Sequence, residues 1–269
     1  MPHFTTFLEA AAGSLSAEKG GDEAEAAIRG GGWAILPQSY YAINESDRAV
    51  FQETYRSLDV DPYGDTRRRA YLKLRMRPTT GAISIAEDQT YSQTYLANPL
   101  DGGKVRIFGP IANDAIASVA FQRLVQKNLS LMLAAYTFMK EEVTIGVHCV
   151  RYFTDLGKPT FSSPIWLHKD DEPLVILNVI DESEGLIGGD TILAHNLRSI
   201  ERVAHLKPFQ GVVLTKQLFH MVTPMEAPIA GSAGFRDILL TTLEEPDDVI
   251  LPRDPEASDG DFINLRAAS

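Results

Sequence analysis

The stretch Phe161-Ser162-Ser163-Pro164-Ile165-Trp166-Leu167-His168-Lys169-Asp170-Asp171-Glu172-Pro173 decides how the chain is read. In an extended strand side chains alternate, so His168 and Asp170 share one face while Lys169 and Asp171 point to the other. A histidine and a carboxylate two residues apart on an inward face can bind one metal ion from adjacent coordination positions. The bare His-x-Asp triplet is a weak signal, because it also arises as an incidental surface pair. Fifty residues on, His220 sits in the apolar run Leu218-Phe219-His220-Met221-Val222. A lone histidine there reads first as a core residue, unless the sheet returns to lie beside the first strand. Two histidines and one carboxylate leave three positions open, the facial arrangement of non-haem Fe(II) oxygenases. Zinc competes for such ligands, but usually through a helical pair rather than a strand doublet.

The texture around this stretch supports a β architecture. Short strands are predicted at 143–153, 161–170, 173–180, 186–194, 209–215, 218–223 and 234–243, separated by turns that include a hairpin at Gly188-Gly189. Many short strands at regular spacing argue for a sandwich or jelly roll. Before them come predicted helices at Phe4–Leu15, at Asp22–Arg29 (ended by Gly30-Gly31-Gly32) and at 46–57 with Ser46 as N-cap. Trp33-Ala34-Ile35-Leu36 reads as a buried strand stopped by Pro37, and 59–65 as a turn. Residues 111–139 carry the strongest helical pattern, capped by Asn113 or Asp114, with a change of phase that predicts a bend or a break near Lys127-Asn128. The expected fold is mainly β with flanking α: a double-stranded β-helix, cupin-like, buttressed by N-terminal helices. It forms one domain over 1–243, with 1–40 as a helical extension and 244–269 as a tail.

Arg236 enters the apolar strand Gly234-Phe235-Arg236-Asp237-Ile238-Leu239-Leu240. A buried guanidinium needs an anion, and a bidentate carboxylate suits it best. Sixteen residues past His220 is a suitable place to hold the distal carboxylate of 2-oxoglutarate; the plainer reading is a structural ion pair. Pairing with Asp237 is disfavoured, because strand neighbours face opposite ways. The run Arg67 to Arg77 (RRRAYLKLRMR) reads as a strand with one basic face, either solvated or turned in part toward an anionic substrate.

Composition excludes several classes. The chain has 269 residues, 25 Lys plus Arg against 36 Asp plus Glu, and a formal net charge of −11. Nucleic-acid binding needs a basic footprint, so it is not expected. Nor is a membrane span or a secretory signal, since the longest apolar run, Leu131 to Met139, is too short. The lone Cys149 cannot make an intrachain disulfide and fits a reducing cytoplasm. Residues 244–269 hold eight acids, two bases and three prolines, a solvated end in which Ile250 or Leu251 could still dock on the body. No glycine-rich phosphate loop is present, so a nucleotide cofactor is unsupported. His195 and His205 read as surface residues. His148 shares a strand face with Val150 and Tyr152 and reads as core or pocket lining, with Cys149 on the opposite face.

The whole run 161–173 resembles the metal-binding strand of the bacterial L-isoleucine 4-hydroxylase family, 2-oxoglutarate- and Fe(II)-dependent dioxygenases of free L-amino acids. Similar stretches are Asp101-Gly102-Gly103-Lys104-Val105-Arg106, Ile145-Gly146-Val147-His148, Val150-Arg151-Tyr152, Ile187-Gly188-Gly189-Asp190, Phe219-His220 with Val222-Thr223-Pro224, and Phe235 to Leu240. The resemblance covers roughly residues 50 to 243. It implies His168, Asp170 and His220 as iron ligands and catalytic centre, Arg236 as the 2-oxoglutarate anchor, and Tyr152, Ser162 and Arg151 near the substrate. Strand parity allows only one of Arg151 and Tyr152 to face the pocket. It also implies Fe(II), 2-oxoglutarate and O2 as cofactors, with ascorbate as the reductant in vitro. The extension, the tail and the segment between His220 and Arg236 depart from the family pattern, which leaves the substrate open.

The expected activity is hydroxylation of an sp3 carbon of a free, aliphatic L-amino acid. A zwitterionic substrate needs a carboxylate partner, for which Arg151 and the arginines of 67–69 are the candidates. Asp170 argues against halogenation, which would free that metal position for chloride. The alternatives are a hydroxylase of a modified or polar amino acid, a redox-inert cupin-like metal protein, and an interaction protein using the acidic tail.

Overall fold

The structure, a computed structural model, describes residues 22–93, 95, 102–138, 140–155, 158–162, 164–227, 233–244 and 249–250. The helix expected over Phe4–Leu15 lies outside them. Helix α1 (Asp22–Gly31) ends where Gly32 takes a φ of 75°, the left-handed position that favours glycine. Strand β1 (Trp33–Leu36) follows, then α2 (Gln38–Tyr41) and α3 (Glu45–Thr54). The cap of α3 is Asn44 rather than Ser46: the Asn44 side-chain oxygen accepts from the Asp47 N–H at 2.8 Å. The basic run forms β2 (Arg67–Arg77), followed by β3 (Ala82–Ile85), β4 (Thr90–Tyr91), β5 (Arg106–Ile107) and β6 (Gly109–Pro110).

The expected long helix is two: α4 (Asn113–Ala117) and α5 (Val119–Ala135). Neither Asn113 nor Asp114 caps the first; Ser118 breaks the pair and caps the second by accepting from the Phe121 N–H. The helix continues unbroken through Lys127-Asn128. The phase change there is real but has another cause, a polar residue placed on the buried face. Asn128 donates to Asn178 Oδ1 (2.9 Å) and Thr241 Oγ1 (3.0 Å), and accepts from the Tyr41 hydroxyl (3.1 Å).

After β7 (Thr137–Phe138) come β8 (Val143–Asp155), β9 (Leu174–Glu182), β10 (Thr191–Ala194), β11 (Arg202–Ala204), β12 (Gly211–Thr215), β13 (Phe219–Val222), β14 (Ala233–Leu243) and β15 (Val249–Ile250). The large sheet has the order β1-β12-β9-β14-β8-β2-β3, with β6 beside β2. A smaller sheet, β11-β10-β13, faces it, and together they make the double-stranded β-helix. The tail docks in part, since β15 pairs with β7.

Alternation along the large sheet assigns two jobs. One face carries Leu72, Leu74, Val147, Cys149, Ile176 and Leu239, which join Phe121, Leu124 and Met132 of α5 in the main core. Burying each such side chain stabilises the fold by about 1.5–3 kcal/mol. The other face looks toward the smaller sheet and carries Arg69, His148, Tyr152, Leu177, Ile238 and Leu240. The helices thus hold the sheet from behind and leave its front free.

The decisive stretch is not a strand. Among the described residues from Phe161 to Asp170 the only ladder contact is an isolated bridge of His168 with His220, and Thr160 makes another with Met225. Parity therefore fails locally: Trp166 is 46% exposed although it was expected to share the inward face. The stretch 186–194 likewise narrows to β10. Gly188 and Gly189 are not a hairpin turn; each has positive φ and lies where a Cβ would strike the Pro224 carbonyl or the Arg236 guanidinium.

Candidate active site

A cavity of about 350 Å³ lies between the two sheets. His168 and Asp170 reach it from the irregular segment and His220 from β13. The bridge is reciprocal, His168 N–H to His220 carbonyl (3.1 Å) and back (2.9 Å), and brings the two imidazoles to 4.5 Å between centroids. Asp170 Oδ2 lies 3.2 Å from His220 Nε2, and Asp170 Oδ1 lies 3.7 Å from His168 Nε2. One donor atom from each residue falls within 4.8 Å of the others. His168 Nδ1 sits 3.1 Å from the Trp166 carbonyl. A carbonyl only accepts, so Nδ1 carries the proton and Nε2 turns its lone pair inward.

The charges agree with a cation site. Burial works against the charged forms of all three groups. Even so, the histidines hold Asp170 below the usual carboxylate range, and Asp170 holds His220 above the usual imidazole value. His168 goes the other way, lowered by burial and by His220, which keeps it neutral and able to donate a lone pair. Two imidazole nitrogens and one carboxylate oxygen, drawn together around shared space, are a donor set that fits Fe(II).

Tyr152 and Ser162 also reach the cavity, and the Tyr152 hydroxyl donates to the Ser162 carbonyl at 3.2 Å. Arg151 does not, which corrects the expectation of a substrate contact there. It lies on the helix-facing side of β8 and clasps Asp237 with two bonds, of 2.7 and 2.6 Å. Arg236 has the opposite parity and, as expected, does not pair with Asp237. It is buried on the inner side, one step along β14 beyond Ile238, and donates to the Gly189 carbonyl. Its facing carboxylate, Glu182, stays at 3.8 Å, beyond hydrogen-bond reach. His205 is not a free surface residue but is held between Glu182 and Asp190, at 3.0 Å each. His195 meets Glu201 at 2.6 Å on the surface.

Sequence reasoning missed Glu172, Tyr91 and Arg106 on the cavity wall, and left Arg69 one of several candidates. Glu172 was legible, since it continues the two-residue spacing of His168 and Asp170. Tyr91 and Arg106 had no signal, because only the fold brings these two residues to the site.

The sequence profile of the 2OG-Fe dioxygenase family matches residues 52–242. The chain belongs to this family. The 2OG-Fe dioxygenases use Fe(II), 2-oxoglutarate and O2, and this member is a non-haem Fe(II)/2-oxoglutarate-dependent dioxygenase. The chain is 36% identical over 201 residues to the L-isoleucine-4-hydroxylase of Bacillus thuringiensis, covering 74% of this chain and 83% of that one. It is 33% identical over 229 residues to the 3(1)-hydroxy-L-isoleucine 4-dioxygenase of Pantoea ananatis (strain AJ13355), covering 80% and 92%. Among solved structures, IDO from Bacillus thuringiensis superposes with a TM-score of 0.71 at 28% identity, over 83% of this chain and 99% of that one.

Proposed function

We propose that this dioxygenase hydroxylates an sp3 carbon of a free, aliphatic L-amino acid, isoleucine- or leucine-like. The observation that carries the reading is the convergence of His168, Asp170 and His220 on one cavity. These three residues hold Fe(II), and Arg236 takes the distal carboxylate of 2-oxoglutarate. The two relatives named above support the substrate class. Fe(II), 2-oxoglutarate and O2 supply the oxidising power when bound: the cosubstrate leaves as succinate and CO2, and one oxygen atom enters a C–H bond.

The chain's own work is to bind, orient and exclude water. His168 and His220 offer nitrogen lone pairs, and Asp170 offers the charge. Arg236 answers an incoming carboxylate because its ion pair with Glu182 is loose, at 3.8 Å. Tyr152 and Ser162 shape the wall beside the substrate. Val175, Leu177, Val212, Leu214 and Leu240 give the cavity an apolar side, which suits a reaction that must be shielded from water. In the same reading, residues 1–243 work as one domain and 244–269 as an acidic tail, fastened where Glu244 accepts from the Tyr71 hydroxyl at 2.8 Å. The protein works in the cytoplasm, where the buried free thiol of Cys149 stays reduced. None of the described helices is long and apolar enough to cross a membrane.

The test is aerobic incubation with Fe(II), ascorbate, 2-oxoglutarate and the twenty free L-amino acids, read by mass spectrometry beside succinate. The expected result is one added oxygen on one aliphatic amino acid, absent in His168→Ala and Asp170→Ala. Succinate without a hydroxylated amino acid moves the substrate outside that set. Iron-loaded protein giving neither succinate nor product would sink the proposal.

A further inference from the structure

We propose that Arg69 and Glu172 are the two jaws that hold the amino-acid substrate, Arg69 gripping its carboxylate and Glu172 its ammonium. The inference rests on the amino-acid reading above and adds which residues recognise the zwitterion.

Three arginines of this region contrast. Arg67 pairs with Asp61, and Arg151 pairs with Asp237. Arg69 is 8% exposed, lines the cavity, and pairs with no carboxylate among the described residues. Its contacts are with rings: it donates to His148 Nδ1 at 2.8 Å, and its guanidinium lies 4.1 Å from the Phe108 ring centre and 5.3 Å from that of Tyr91. Its Nε has no acceptor among the described residues. Aromatic faces soften the burial of a cation but do not neutralise it. A desolvated guanidinium held rigidly at a cavity wall is built to receive an anion.

Glu172 is the complement. It is 7% exposed and lines the same cavity. Its Oε1 accepts from the Tyr91 hydroxyl at 3.2 Å, while Oε2 is buried with no partner among the described residues. Tyr91 touches both groups: Arg69 lies over its ring, and its hydroxyl is bound to Glu172. Had the two needed only each other, a direct ion pair would have served. Instead each keeps an unpartnered polar atom, Arg69 Nε and Glu172 Oε2, on the wall of one cavity, a donor and an acceptor for the carboxylate and the ammonium that an α-amino acid carries on one carbon.

The test is calorimetric titration of the anaerobic Fe(II)–2-oxoglutarate protein, in which binding is read without turnover. The probes are L-isoleucine, 3-methylpentanoate (which lacks the ammonium) and 2-methylbutylamine (which lacks the carboxylate). Wild-type protein should bind L-isoleucine about tenfold or more tightly than either analogue. Arg69→Gln should bring L-isoleucine down to the level of the amine, and Glu172→Gln to the level of the acid. Arg69→Lys should recover part of the loss, and unchanged 2-oxoglutarate affinity in every variant shows that the fold is kept. If the wild type binds L-isoleucine and the variants match it within about twofold, the jaws are wrong and the amino-acid reading stands. Weaker 2-oxoglutarate binding in Arg69→Gln, with L-isoleucine unaffected, assigns Arg69 to the cosubstrate and also overturns the proposal. If the wild type binds none of the twenty amino acids, the amino-acid reading fails and the jaws fail with it.

Discussion

Arg69 Nη2 donates to His148 Nδ1 across 2.8 Å, and that one bond fixes the charge of the imidazole. A guanidinium only donates, so Nδ1 must be bare. Burial first, then the charges of Arg69 and Arg106, hold His148 well below the usual imidazole value. In the unfolded chain the same histidine takes up a proton near pH 6.5, at about its ordinary value. Below that pH the unfolded state binds a proton that the folded state refuses. Stability from this group is therefore full above about pH 6.5 and is lost as the pH falls, by up to about 1.4 kcal/mol per unit. Urea denaturation from pH 7.5 to 5 should show that slope, and His148→Gln should remove part of it. An identical slope in the variant would exclude the mechanism.

The proposed metal ligands should show themselves without any turnover. Wild-type protein incubated with Mn(II) should gain about 2.7 kcal/mol of stability when the free ion is a hundred times its dissociation constant. His168→Ala, Asp170→Ala and His220→Ala each remove one of three donors and should lose that gain, together with the metal retained after dialysis. Elemental analysis and thermal melts check both. A variant that keeps full metal content would strike its residue from the ligand set.

Arg236 should act on the cosubstrate alone. Arg236→Gln removes the charge that answers the distal carboxylate, so KM for 2-oxoglutarate should rise about tenfold or more while KM for the amino acid changes little. Gly189→Ala gives an independent check with Arg236 intact. A Cβ at Gly189 would meet Arg236 Nη1, and the φ of 75° is itself unfavourable for alanine. The guanidinium must move, and KM for 2-oxoglutarate should rise in the same direction. Unchanged 2-oxoglutarate kinetics in both variants would remove Arg236 from the anchor role.

What the sequence made legible followed from alternation. On β8 it correctly put His148, Val150 and Tyr152 on one face and Cys149 on the other. On β14 it separated Arg236 from Asp237. It failed where the chain is not regular. Residues 161–170 were read as a strand, yet His168 and Asp170 converge where an isolated bridge to His220 holds an irregular segment in place. No break occurs at Lys127-Asn128: the change of phase there is a buried polar knot, since helical periodicity counts apolar residues and cannot see that Asn128 has partners on β9 and β14. Tyr91 and Arg106 needed contacts made by segments distant in sequence, which no local pattern carries.

The last prediction concerns Arg151, expected near the substrate and found behind the sheet. Its guanidinium and Asp237 form a buried bidentate pair between β8 and the helical layer. Arg151→Met should therefore cost stability, roughly 3 kcal/mol, because it strands a buried carboxylate. The stranded Asp237 escapes only by holding a proton that the unfolded chain has already released. The folded state then binds the extra proton, so the deficit grows as the pH rises above the ordinary aspartate range. Guanidinium denaturation at pH 5 and pH 8 reads that trend. Binding should be spared: KM for the amino acid and for 2-oxoglutarate should stay within about twofold of wild type, since Arg151 touches neither cavity wall nor ligand space. A raised KM for the amino acid with unchanged stability would return Arg151 to the substrate.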